Sequence, residues 1–173
     1  GGILNKLHQN DNRIVVAYQT SGNIAVFDHE VRRYLDFLER FAREFGLGDG
    51  RIEQLTERIE ASLARKRPGD VDIPEVQVIK QRIREAEAVS GIETFRMKKE
   101  QACFLNLPFY QTGKVRKDPI GPADVAIVRD LLLEVRPELI FVAGDLSDPH
   151  GTHRMCKEAI DRALDEVAPR DGT

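Results

Sequence analysis

Leu139-Ile140-Phe141-Val142-Ala143-Gly144-Asp145-Leu146-Ser147-Asp148-Pro149-His150-Gly151-Thr152-His153-Arg154-Met155-Cys156 is the stretch whose reading decides the fold. The unbroken apolar run from Leu139 to Ala143 predicts a buried strand. A polar turn follows, and it opens a helix whose apolar residues recur with a 3.6-residue period. Open α/β sheets carry their pockets at the carboxyl ends of the strands. Here that position holds Asp145 and Asp148, and then His150 and His153, two of the four histidines of the chain.

Asp148 followed by Pro149 predicts the helix start: a carboxylate that accepts from free N–H groups, then a proline at the first helical position. On that reading His150 and His153 stand three apart in the first turn, where residues share a face. The positive helix end disfavours imidazolium and leaves ring nitrogens free for a metal or for proton transfer. A second reading stays open. Two histidines on the stripe of Cys156, Ile160 and Leu164 also suit the edge of a core, and one pair does not complete a metal site.

The segment Asp148-Pro149-His150-Gly151-Thr152-His153, after a Pro-Glu-Leu-Ile-Phe-Val strand, resembles the second signature of the LmbE/PIG-L family of zinc-dependent N-deacetylases. The family usually writes His-Pro-Asp-His, and Gly151 and Thr152 replace its middle residues here. The resemblance implies zinc as cofactor, His153 as a metal ligand, and His150, beside Asp148, as the histidine that stabilises or protonates the reacting centre. It also implies a Rossmann-like three-layer sandwich. VAYQTSGNIAVFDHEVRRYLDF, FLNLPFYQTG and VAGDLSDPHGTHRMC further resemble the C-terminal LmbE-like domain of large bacterial glucosamine-6-phosphate deaminase-like proteins.

Working outward, Arg13 to Gln19 is β-branched and nearly all apolar and predicts another buried strand. It ends at Thr20-Ser21-Gly22-Asn23. The family has a comparable Thr-x-Gly turn beside its pocket, which makes Thr20 and Ser21 candidate substrate residues, although a plain turn explains them equally. Ala102 to Leu107 predicts a further strand. The loop Pro108 to Gly113 after it borders the family's substrate pocket, so Tyr110 is a candidate for packing on a sugar or for closing the core. Lys114 to Lys117 reads as a polar connection. Ile3, Leu4 and Leu7 fit the tail of a helix.

Between these strands the chain reads as helical, an expected insertion over residues 28–90. Val31, Tyr34, Leu35, Leu38, Phe41, Ala42 and Phe45 form the stripe of a first helix stopped by Gly46. Arg51 to Lys66 is a second, and residues 75–90 a third, closed by Gly91. Its Arg82 and Glu85 resemble the family's Arg-x-x-Glu, and equally a surface ion pair. Gly121-Pro122-Ala123-Asp124 starts a helix buried through Val125, Val128, Leu131, Leu132 and Val135. The last helix turns Ala159, Ile160, Ala163, Leu164 and Val167 inward. This order predicts an α/β fold with a mainly parallel sheet covered by helices, the strand ends near Thr20, Asn106 and Asp145 sharing one edge.

At 173 residues the expected domain count is one. A formal charge of −3, with no basic stripe, argues against nucleic acid as partner. No run approaches a membrane span. Cys103 and Cys156 lack metal or redox spacing and read as buried thiols of a reducing compartment, so a cytoplasmic location is expected. The expected partners are a small-molecule amino sugar, and a second copy of the chain or a fused deaminase-like domain.

The family takes two metal ligands and its general base from a His-Pro-Asp-Asp motif after its first strand. No such motif occurs between Gly1 and Thr173. The expectation is therefore an incomplete domain, lacking that strand and the family's C-terminal part, that binds zinc weakly and does not deacetylate alone. The competing expectation is a non-catalytic or regulatory domain of an amino-sugar enzyme.

Overall fold

A computed structural model describes residues 2–47, 50–143 and 147–168. The predicted strand end at Asp145 lies outside them. The chain divides into two units, one built from residues 1–21 and 88–173 and the other from residues 22–87.

In the first unit, helix α1 (Gly2–Gln9) is followed by strand β1 (Val16–Tyr18), which pairs in parallel with β2 (Ala102–Phe104). Val16 faces Ala102, Ala17 faces Cys103 and Tyr18 faces Phe104. Two more backbone bonds prolong the pairing, from Leu105 N–H to Tyr18 O at 2.9 Å and from Leu107 N–H to Gln19 O at 2.8 Å. Parallel pairing of distant strands is what the strand-helix order predicted. The strands are shorter than expected, and β1 is half-buried rather than enclosed, because Ala17 faces solvent. Ile14, Ile92 and Met97 form the core beneath, with Leu4, Leu7 and Val16 packed on it.

The short helix α5 (Pro108–Gln111) follows β2, and α6 (Pro122–Val135) then packs along α7 (Thr152–Val167). Val125 and Val128 of α6 are buried, as are Ala159 and Ala163 of α7. Alanines let two helix backbones approach closely. Leu164, expected inside, is instead exposed. Asp124 is buried and accepts hydrogen bonds from Phe109 N–H at 2.9 Å and Gly121 N–H at 2.8 Å. One carboxylate thus starts α6 and ties it to α5.

The predicted strand 139–143 is the main correction. These residues form no strand and are exposed, Leu139 by 66% and Phe141 by 58%. A strand exists only by pairing its backbone with a neighbour. Among the described residues no strand pairs with this run, so an apolar sequence alone did not make it one. The fold as described is helix-rich α/β with a two-stranded parallel sheet.

In the second unit, α2 (Asp28–Glu44) and α3 (Arg51–Arg65) pack with the first part of α4 (Pro74–Glu93). Val31, Leu35, Ile59, Leu63 and Val76 make its core. Gly46 stops α2 as predicted, at φ 61°, with Leu47 N–H donating to Ala42 O at 2.9 Å. The predicted stripe of α2 is only partly buried: Tyr34, Leu38, Phe41 and Phe45 are exposed. Nor does Gly91 close α4, which runs on to Glu93 and turns at Arg96 with φ 61°. Among the described residues no helix is long and apolar enough to cross a membrane.

Candidate functional site

The turn from Ser147 to Gly151 precedes α7, but not by the predicted mechanism. Helix α7 begins at Thr152, after Gly151 in the left-handed region at φ 67°. Pro149 and His150 therefore lie in the turn, and His153 alone of the two histidines is in the first helical turn. Asp148 caps from a distance: its Oδ2 accepts from Thr152 N–H at 2.8 Å and from His153 N–H at 3.5 Å. Its Oδ1 is buried with no hydrogen-bond partner among the described residues. The carboxylate lies close enough to Cys156 to act on it. Burial first, and then that charge, push the thiol up to about 11, so Cys156 stays protonated near neutral pH and is a poor nucleophile.

A cavity of about 320 Å³ opens beside this turn. One wall is Val115-Arg116-Lys117. The other is Pro149-His150-Gly151, with Arg154 and Met155 reaching over from α7. The volume suits a small ligand. Arg154 lies so close over the turn that a Cβ on Gly151 would stand 2.8 Å from its guanidinium. Lys117 Nζ donates to Lys114 O at 2.6 Å and sits 4.1 Å from the centre of the Tyr110 ring. Burial in that position pushes the Lys117 ammonium below its ordinary value. No carboxylate is among the described residues of the lining.

Of the predicted site residues, His150 lines the cavity and His153 does not. Both are exposed. Tyr110 is buried edge-on against Phe109, 6.1 Å between centroids, and does not line the cavity, although its ring lies under Lys117, which does. Thr20 is half-buried and Ser21 buried, its Oγ without a hydrogen-bond partner, and neither lines the cavity. Arg82 and Glu85 form an ion pair on α4, with Gln81 Nε2 also donating to Glu85 at 2.8 Å. Sequence reasoning missed Arg116, Lys117 and Arg154. Their one local signal was the basic Lys114-Val115-Arg116-Lys117 run, and nothing in the sequence tied it to Arg154.

The sequence of this chain matches a family model described as PIG-L, GlcNAc-PI de-N-acetylase, over residues 1–164. The chain belongs to the PIG-L family. A glucosamine-6-phosphate deaminase-like protein of Bacteroides thetaiotaomicron is 45% identical over 166 residues, which are 95% of this chain and 25% of that protein. The chain therefore spans about a quarter of that relative's length. No solved structure matches it. PIG-L proteins are generally metal-dependent, which makes the donor set of this chain a test. Among the described residues no three His, Cys, Asp or Glu side chains come together to hold a metal. Asp148 Oδ2 is already committed to the α7 amides. The described residues do not fit a resident zinc by themselves.

Proposed function

We propose that this chain is the substrate-facing part of an N-deacetylase domain of the Rossmann-like PIG-L type, acting on an N-acetylated amino sugar in the cytoplasm. The observation that carries the reading is His150, held in the turn before α7 on the wall of a sugar-sized cavity. Family membership supplies the reaction class, removal of an acetyl group from a sugar amine. From that wall His150 can hydrogen-bond the developing oxyanion or give its proton to the leaving amine. Asp148 helps position His153 by accepting from the N-terminal amides of α7. His153, exposed in that first turn, is the candidate metal ligand. One histidine is too few for a hydrolytic site, so no step here is routed through a metal.

The reading predicts that the 173-residue chain alone releases no amine from N-acetylglucosamine or its 6-phosphate. It also predicts that a chimera, in which the chain replaces the matching quarter of the Bacteroides relative, does release amine. His150→Ala should lower that rate by about 10²–10⁴-fold. A chimera that folds and stays inactive would leave the chain a non-catalytic domain of an amino-sugar enzyme. Deacetylation by the isolated chain would sink the idea that its site is incomplete.

A further inference from the structure

The cavity beside His150 has a charge that the deacetylation step does not call for. Hydrolysis of an amide needs a proton donor, an activated water and a group to stabilise the oxyanion, a role already open to His150, and it does not call for three cations. Yet Arg116, Lys117 and Arg154 converge on this one concavity, with no carboxylate in its described lining.

Several other cations of the chain are paired with carboxylates, and what sets these three apart is that they share one concavity. Arg32 is paired with Glu60 at 2.9 Å, Arg40 with Asp36 at 3.0 Å, Arg58 with Glu75 at 2.9 Å and Lys157 with Asp161 at 2.6 Å. Arg129 meets both Asp130 and Glu166. In a chain of formal charge −3, carboxylates are plentiful. Among the described residues neither Arg116 nor Arg154 has one, and Lys117 has only a carbonyl and an aromatic face.

We propose that these three side chains receive the phosphate of a phosphorylated amino sugar, so that the substrate is a sugar phosphate rather than a neutral sugar. This rests on the deacetylase reading of the same cavity. Guanidinium forks match phosphate oxygens in pairs, and a lysine adds a point charge. The helix end is not the anion seat, because Asp148 already takes the amides of Thr152 and His153. The anion is therefore held by side chains alone. At about 320 Å³ the open concavity has room for a hexose phosphate. The phosphate anchored at Arg154 places the sugar against His150, which lines the same wall. That the similar Bacteroides protein is named for a hexosamine 6-phosphate agrees with this ligand chemistry.

The test is calorimetric titration of the 173-residue chain at low ionic strength with inorganic phosphate, N-acetylglucosamine 6-phosphate and N-acetylglucosamine. The variants are Arg154→Ala and the double substitution Arg116→Ala/Lys117→Ala, each checked for folding by circular dichroism. We expect the sugar phosphate to bind at least about tenfold more tightly than the neutral sugar, and each variant to lose about tenfold. Added salt should weaken binding. Equal affinity for the two sugars would overturn the proposal while leaving the deacetylase reading intact. Binding of the sugar phosphate that neither variant weakens would also overturn it, because the ligand would then sit elsewhere. Inorganic phosphate bound through Arg154, with no gain from the attached sugar, would instead overturn the amino-sugar reading on which the proposal rests.

Discussion

Two clusters of charge in this molecule have opposite designs. In the unit of residues 22–87, Lys80 is 3% exposed and touches Asp28 at 2.6 Å and Asp72 at 2.7 Å, while Lys66 reaches the same two carboxylates at 3.0 and 2.6 Å. Two cations and two anions close on one another. Beside α7, three cations share a cavity with no anion in its described lining. A closed cluster joins α2, the end of α3 and α4, and has little capacity left for a ligand. An open one contributes little to the fold and keeps its attraction for something brought from outside. The contrast is between cations spent inside the fold and cations gathered on one open concavity.

The closed cluster should therefore be expensive to break. Lys80→Met leaves Asp28 and Asp72 sharing Lys66 alone, and loss of a partner from a buried ion network costs about 3–5 kcal/mol. Urea unfolding would read this as a lower midpoint at an unchanged slope. The pH dependence has two edges. Burial pushes the Asp28 carboxyl up, but the hydrogen bonds and charges of Lys80 and Lys66 outweigh it and hold the group below its ordinary 3.8. Its contribution is present above that value and is lost as pH falls through the lowered one. Burial pushes Lys66 down, but Asp72 and Asp28 outweigh it and hold the ammonium above 10.5. That contribution is present below 10.5 and is lost as pH rises through the raised value. Stability from this pair should be flat between the two ordinary values, and a slope centred near neutral pH would contradict the assignment.

Asp124 gives the next largest effect, and it belongs to the same closed class, because its charge is spent inside the fold. Asp124→Ala removes two hydrogen bonds to a buried carboxylate and strands the Phe109 N–H, a cost of about 2–3 kcal/mol. Amide exchange should quicken first at Phe109 and Gly121. Protection unchanged at both would show that the carboxylate does not hold α5 to α6.

The sequence made some of this visible and hid the rest for a physical reason. Helix periodicity is local, so α2, α3, α6 and α7 were legible from their apolar spacing, and Gly46 and Gly121-Pro122 marked ends. Strands are relations. Arg13 to Gln19 and Ala102 to Leu107 found each other across the chain, while Leu139 to Ala143, equally apolar, met no partner among the described residues. Charge clusters are relations too. Lys80 and Asp28 stand 52 residues apart, and nothing in either neighbourhood announces the other. His150 was singled out from the turn after an apolar run and lines the cavity, whereas Arg116 and Arg154 needed the cavity to connect them.

Asp148 and Arg154 sharpen the comparison at its small end, because they flank Gly151 at the start of α7 with opposite expected behaviour. Asp148→Ala exposes the amides of Thr152 and His153 and should cost about 1 kcal/mol, the usual worth of a helix cap. Arg154→Ala removes an exposed guanidinium with no carboxylate partner among the described residues, and should change stability by no more than about 0.5 kcal/mol. The same urea titration reads both. If Arg154→Ala proved as costly as Asp148→Ala, the guanidinium would be bracing the turn over Gly151 rather than waiting for an anion. If it proves neutral, the position is free of structural duty, and any loss of phosphate ester binding in that variant belongs to the cavity itself.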